Sequence, residues 1–129
     1  MRKEIYLIEN LENIKYMSKV SRGSYYKKRT KDYYEDLGYQ VQITEFMTTL
    51  VFGNKKIFKK IDIFGSDMIA MNGEEILFIN SKHATDKDSK KAVIYQGKKE
   101  FLKYKFPPFV KTILVIWEPR KKPEIVPCG

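Results

Sequence analysis

The run Asp67-Met68-Ile69-Ala70-Met71, followed by Asn72-Gly73-Glu74-Glu75 and then Ile76-Leu77-Phe78-Ile79-Asn80-Ser81-Lys82, reads as two apolar strands around a tight turn. Asn72 and Gly73 both tolerate the positive φ of a hairpin. Apolar residues fall on both faces of each strand, which predicts a sheet covered on both sides. Side chains alternate across a sheet, so the turn fixes which residues share a face. With Asn72-Gly73 alone as the turn, Asp67 lies opposite Phe78 and diagonal to Asn80. With a four-residue loop from Asn72 to Glu75, it lies directly opposite Asn80. Either register predicts Asp67, Asn80 and Lys82 on one face near one end.

Upstream, Ser21 or Ser24 can cap a helix running to about Leu37, and Gly38 supplies a stop. Tyr26, Tyr33, Tyr34 and Leu37 form its expected apolar side. Tyr39 to Phe46 alternates apolar and polar like a half-buried strand. Thr48 to Phe52 extends it or forms another strand, and Gly53-Asn54-Lys55-Lys56 reads as a basic turn. Downstream, residues 88–105 read as a helix burying Val93, Ile94, Phe101, Leu102 and Tyr104. Gly97 sits mid-helix at a cost of about 1 kcal/mol, which close packing against the sheet would explain. Pro107-Pro108 ends that helix, Thr112 to Trp117 is strongly β-prone, and Glu124-Ile125-Val126 adds a short edge strand. The order is helix, three or more strands, helix, strand: an α/β sandwich. Residues 1–20 read as an arm or dimer contact, with Ile5 to Ile8 a short strand or Leu11, Ile14 and Met17 a helical stripe. Residues 21–129 read as one domain.

Composition narrows the class. The 43% hydrophobic content excludes a disordered chain, and no apolar run approaches the roughly 20 residues of a membrane span. Glu9 and Glu12 interrupt the N-terminus before a signal-peptide core forms, so a cytoplasmic, intracellular location with no membrane partner is expected. The single cysteine, Cys128, cannot form an internal disulfide and reads as an incidental exposed thiol. Lys and Arg number 25 against 16 acids, a formal charge of +9. Such an excess attracts polyanions, DNA among them, although a lysine-rich proteome would produce the same balance.

Phosphodiester hydrolysis uses a hard cation to polarise the phosphate and acidify a water. Magnesium takes one or two carboxylates and keeps several waters, and a nearby lysine can orient the water or offset charge on phosphate. In this stretch Asp67 is the candidate ligand for Mg²⁺ or Mn²⁺, Lys82 the water-positioning cation and the Ser81 carbonyl a main-chain ligand. The plainer alternative is that Asp67 caps the turn after Gly65-Ser66 and Lys82 ends a strand in solvent.

Arg22-Gly23 opening a helix, Gly38-Tyr39 ending it, Asp62-Ile63-Phe64-Gly65-Ser66-Asp67, the hairpin, Tyr95-Gln96, Pro107-Pro108 and Val115-Ile116-Trp117 together resemble the PD-(D/E)xK nuclease superfamily. Within it the chain is most similar to small archaeal-type Holliday junction resolvases and related phage nucleases, over roughly residues 21–126. The resemblance implies a restriction-endonuclease-like αβββαβ core, with a central mixed sheet flanked by helices. It also implies a metal-dependent DNA endonuclease acting on branched or duplex DNA, and a homodimer. The family's acid two positions before the lysine is replaced by Asn80, whose amide oxygen can ligate a metal without bringing charge. No glutamate stands near Tyr26 or Lys27, where the family often has one. Asp62 or Glu45 could compensate, though Asp62 reads as a polar strand end and Glu45 as solvent-facing. Gln96 matches a glutamine that lies near the active site in related nucleases. Strand alternation turns His83, the sole histidine, away from the Asp67 face. Arg22, Lys27, Lys28 and Arg29, with Lys55, Lys56, Lys59 and Lys60, are candidate backbone-binding cations. Tyr25 and Tyr26 are candidates for stacking on a base. A nucleic-acid-binding module with decayed catalysis is the rival reading.

Overall fold

The computed structural model describes residues 19–129, with side chains from Gly23 onward. The expectations for the arm over residues 1–20 fall, up to residue 18, outside the described residues. Helix α1 (Lys19–Asp36) is followed by β1 (Gln40–Ile43), β2 (Phe46–Phe52), β3 (Lys55–Ile61), β4 (Met68–Met71) and β5 (Ile76–His83). Helix α2 (Lys87–Leu102), β6 (Val110–Trp117) and β7 (Glu124–Pro127) complete the chain.

Five strands form one mixed sheet in the order β1-β4-β5-β6-β7, while β2 and β3 form a separate antiparallel pair. With that pair set aside, the main-sheet order is α1-β1-β4-β5-α2-β6, the αβββαβ order expected, with β7 as the anticipated edge strand. β5 and β6 are parallel because α2 carries the chain back across the sheet between them. The hairpin pairs Met71 with Ile76 and Met68 with Ile79, so the four-residue loop is the one formed. The Asn72 side chain closes it by accepting from the backbone N–H groups of Glu74 and Glu75, both at 2.8 Å.

The two-sided cover read from the strands is present. Leu77, Ile79, Met68, Ala70, Ile113, Val115 and Trp117 pack with Tyr25, Tyr26 and Tyr34 of α1. Leu114, Ile116 and Phe78 pack with Val93, Ile94 and Phe101 of α2. Alternation therefore divides β5 and β6 cleanly between two helical layers.

Several boundaries differ from expectation. Nothing in Lys19-Val20 breaks a helix, so α1 already includes Ser21 and Ser24 rather than being capped by them. Gly38, at φ +95°, ends it as anticipated. Leu37 is 58% exposed because it lies beyond the last turn, and Tyr25 takes a buried place instead. Leu102 is likewise 83% exposed at the frayed end of α2. Helix α2 starts on a capping box in which the Asp86 side chain accepts from the Ser89 N–H and the Ser89 hydroxyl accepts from the Asp86 N–H. Residues Lys55 and Lys56, read as a turn, begin β3 instead; the turn is Gly53-Asn54 alone. Cys128 is half-buried rather than exposed, and burial pushes its thiol pKa up, away from nucleophilic use.

A buried hydroxyl ties the α1 layer to the sheet. Thr30 Oγ1 donates to the Tyr26 carbonyl at 2.8 Å, leaving it to accept from Trp117 Nε1 at 2.8 Å and from the Ser81 hydroxyl at 2.9 Å. Thr30→Val keeps the shape and strands the buried indole N–H. It is expected to lower stability by about 1–3 kcal/mol, read from urea unfolding.

Candidate active site

The loop before β4 delivers Asp67. Asp62 Oδ1 accepts the Gly65 N–H at 3.2 Å, and Ile63 and Ser66 form an isolated bridge. Gly65 adopts φ +77°, where a side chain is strained, and a Cβ there would sit 3.4 Å from the Glu100 carbonyl. Asp62, read as a polar strand end, directly follows β3 and braces the turn that leads to Asp67.

Asp67 then departs from strict alternation. Its N–H donates to the Ile79 carbonyl at 2.8 Å, although Ile79 is already the partner of Met68. Two residues against one is the count of a β-bulge, which re-aims a side chain. The Asp67 carboxylate consequently accepts the Ser81 N–H at 2.9 Å, at the edge of β5. In a strand the N–H and C=O of one residue point to the same edge, so the Ser81 carbonyl faces that edge too. The Asp67 carbonyl accepts from the N–H groups of Thr44 and Glu45, at 2.8 and 3.2 Å.

That last pair brings in the residue misjudged from sequence. Glu45 was expected to face solvent; instead its side chain is largely buried and ion-paired to Lys27 and, at 3.2 Å, to Lys60. Its position between β1 and β2, with its amide held by Asp67, turns it inward. Burial pushes the Asp67 pKa up to about 7, and the hydrogen bond and charge of Glu45 push the same way; the Ser81 N–H and Lys27 pull against them. Burial works against Glu45 too, but its hydrogen bonds to Asp67, Lys27 and Lys60 outweigh that and hold it down at about 2. The two groups therefore titrate as a pair, with Asp67 pushed up and Glu45 held down.

Asn80 is buried, and its Nδ2 donates to the Gly65 carbonyl at 2.7 Å. Its Oδ1 is buried with no hydrogen-bond partner. Lys82 shares the parity of Asn80 on β5, is half-buried, and forms no ion pair with any described residue. No hydrogen bond joins Asp67 to Asn80 or Lys82 among the described residues. Asn80 and Lys82 share strand parity on β5, while the Asp67 side chain, re-aimed by the bulge, bonds to the Ser81 N–H. Gln96 bonds to Glu100 at 3.1 Å on the exposed side of α2.

His83 lies on the α1 side, its ring stacked 5.4 Å from that of Tyr26. Among the backbone-binding candidates, Lys28 and Lys59 are exposed, Lys27 and Lys60 hold Glu45, and the Arg29 guanidinium lies 4.3 Å from the Trp117 ring centroid. Arg22 is on α1, its side chain outside the described ones. Tyr25 and Tyr26 are buried in the core, as packing explains better than base stacking. A cleft of ≈ 800 Å³ lined by Tyr34, Phe101, Phe106 and Val110 opens at the other end of β5 and β6 and includes none of these groups.

No three His, Cys, Asp or Glu side chains gather into a cation cage among the described residues. The donors present are two carboxylates, the Ser81 carbonyl and the unpartnered Asn80 Oδ1. An all-oxygen set with one or two carboxylates suits Mg²⁺ or Mn²⁺ rather than a soft metal.

No family model and no curated protein matches the chain. Among solved structures, Archaeoglobus fulgidus Hjc, a Holliday junction resolvase from an archaeal hyperthermophile, aligns at 14% identity. The alignment covers 82% of this chain and 77% of that one, with a TM-score of 0.48. A second structure, SSO0001, aligns at 15% identity over 100% of this chain and 78% of its own, with a TM-score of 0.37. No helix is long and apolar enough to cross a membrane among the described residues.

Proposed function

We propose that this chain is a metal-dependent DNA endonuclease that hydrolyses phosphodiester bonds in branched or duplex DNA. The observation that carries the reading is the buried Asp67 carboxylate on the Ser81 N–H, with Glu45 held beside it through the Asp67 carbonyl, at the corner where the sequence resemblance puts a nuclease site. Asp67, Glu45, the Ser81 carbonyl and Asn80 Oδ1 are the groups that would hold Mg²⁺ or Mn²⁺. Such an ion, when bound, supplies charge to polarise the scissile phosphate and acidify a water. Glu45 contributes the second negative charge that Asn80 lacks. Lys27 keeps Glu45 ionised and oriented, and Lys82 offers a half-buried ammonium to the attacking water or to charge developing on phosphate. Gln96 is carried as a lesser candidate by resemblance. A homodimer and a cytoplasmic location complete the proposal.

Mg²⁺ or Mn²⁺ is expected to elicit cleavage of branched or duplex DNA, and Asp67→Ala to abolish it. The asparagine at position 80 favours one alternative, a binding module on the same fold with decayed catalysis. DNA binding with no cleavage under any metal supports that alternative. Asn80→Glu restores a charge beside Gly65 and is expected to tighten Mn²⁺ binding about 10-fold or more. Unchanged Mn²⁺ affinity in that variant would place the ion elsewhere.

A further inference from the structure

Among the described residues, strands β2 and β3 form a two-stranded ribbon with no substantial packing against any other element beyond its root. An isolated two-stranded ribbon is at best marginal in water. Phe52, Phe58 and Val51 are 62%, 68% and 63% exposed. The span from Phe46 to Ile61 holds four lysines and no acid, and all four lie on β3. The ribbon is therefore sided by strand: β2 is uncharged, while β3 carries Lys55 and Lys59 on one face and Lys56 and Lys60 on the other.

We infer that this ribbon is a DNA-docking arm whose β3 lysines follow a phosphate backbone and lead it to the Asp67–Glu45 pair. Charge complementarity selects the occupant, because four cations on one strand repel a second copy of themselves but neutralise phosphates. Dimensions agree. Seven residues at about 3.3 Å span roughly 20 Å, and a two-stranded ribbon fits a major groove about 12 Å wide. Exposed Phe52 beside the tip and Phe58 at mid-ribbon present apolar surface to sugars and bases. The root fixes the direction of approach: Lys60 pairs with Glu45, the residue directly before β2, so DNA held along β3 ends beside the carboxylates.

This inference rests on the nuclease reading for its purpose, but its test does not. The measurement is binding of a fluorescent 20-base-pair duplex in EDTA across a salt series, for wild type and two quadruple variants. One is Lys55→Ala/Lys56→Ala/Lys59→Ala/Lys60→Ala; the other removes equal charge on and after α2, at Lys98, Lys99, Lys103 and Lys105. The ribbon variant is expected to lose more than about 10-fold in affinity at low salt, and its log–log salt slope to fall by about 3–4. The α2 variant should change the slope by less than about 1. Because Lys60 pairs with Glu45, a Lys55→Ala/Lys56→Ala/Lys59→Ala variant that leaves that pair intact should keep the wild-type thermal melt and still lose most of the same affinity. Equal losses in both variants would mean net charge alone, and overturn the arm. So would wild-type binding in the ribbon variant, including a case where that variant only shifts a dimer to monomer. A protein that never cleaves but shows the predicted slopes keeps the arm and loses the nuclease. One that cleaves while its ribbon variant binds normally does the reverse.

Discussion

Asp67→Asn is expected to make the metal-free protein more stable at neutral pH while cutting metal-dependent cleavage by at least about 100-fold. The pKa of Asp67 is raised in the folded protein from 3.8 to about 7, so its contribution to stability is complete below pH 3.8 and is lost as pH rises through 7. Glu45 is shifted the other way, from 4.5 to about 2; its contribution is present above 4.5 and lost as pH falls through 2. Between pH 4 and 7, then, Glu45 stays ionised and Asp67 is the group whose ionisation opposes folding. Asparagine avoids that opposition, keeps an oxygen for the Ser81 N–H and offers an amide N–H to Glu45. Urea unfolding in EDTA should show the variant gaining about 1–3 kcal/mol at pH 8 and little or nothing at pH 4.5. A variant less stable than wild type at pH 8 would show that the charged Ser81 bond outweighs the carboxylate repulsion.

Gly97→Ala should be destabilising although it replaces the poorer helix former. Propensity favours alanine by about 1 kcal/mol. A Cβ at that position, however, would sit 2.4 Å from Leu114 Cδ2 and 2.7 Å from Cδ1. Leu114 is fully buried between α2 and its strand neighbours, so its methyls have nowhere to go without displacing the sheet. Overpacking of this kind costs about 1–3 kcal/mol net, measurable as a lower urea midpoint with unchanged slope. Gly97→Ala/Leu114→Ala should be much less than additive, since each change relieves the other. A neutral single substitution would mean that α2 lifts freely from β6.

How legible this was in the sequence differs residue by residue. The hairpin, its two-sided cover and the mid-helix glycine were readable because turn chemistry, period-2 burial and helix propensity are local or follow directly from pairing. The ribbon was only half visible: Lys55-Lys56-Ile57-Phe58-Lys59-Lys60 lacks alternation, because neither of its faces is buried. Glu45 was missed for a different reason. Its inward turn depends on the Asp67 carbonyl holding two successive amides, and the aim of Asp67 depends on a bulge. Neither leaves a mark in side-chain pattern. The nearest signal was negative: a nuclease-like motif short of one carboxylate, with a single acid stranded between two strands.

Calorimetric titration of Mn²⁺ into wild type, Asp67→Ala and Glu45→Gln at pH 7.5 tests the two-carboxylate site most directly. One ion should bind the wild-type protein, and each substitution should weaken that binding about 10-fold or more. Mn²⁺ binding both variants as it binds wild type would contradict the site described for this corner of the sheet.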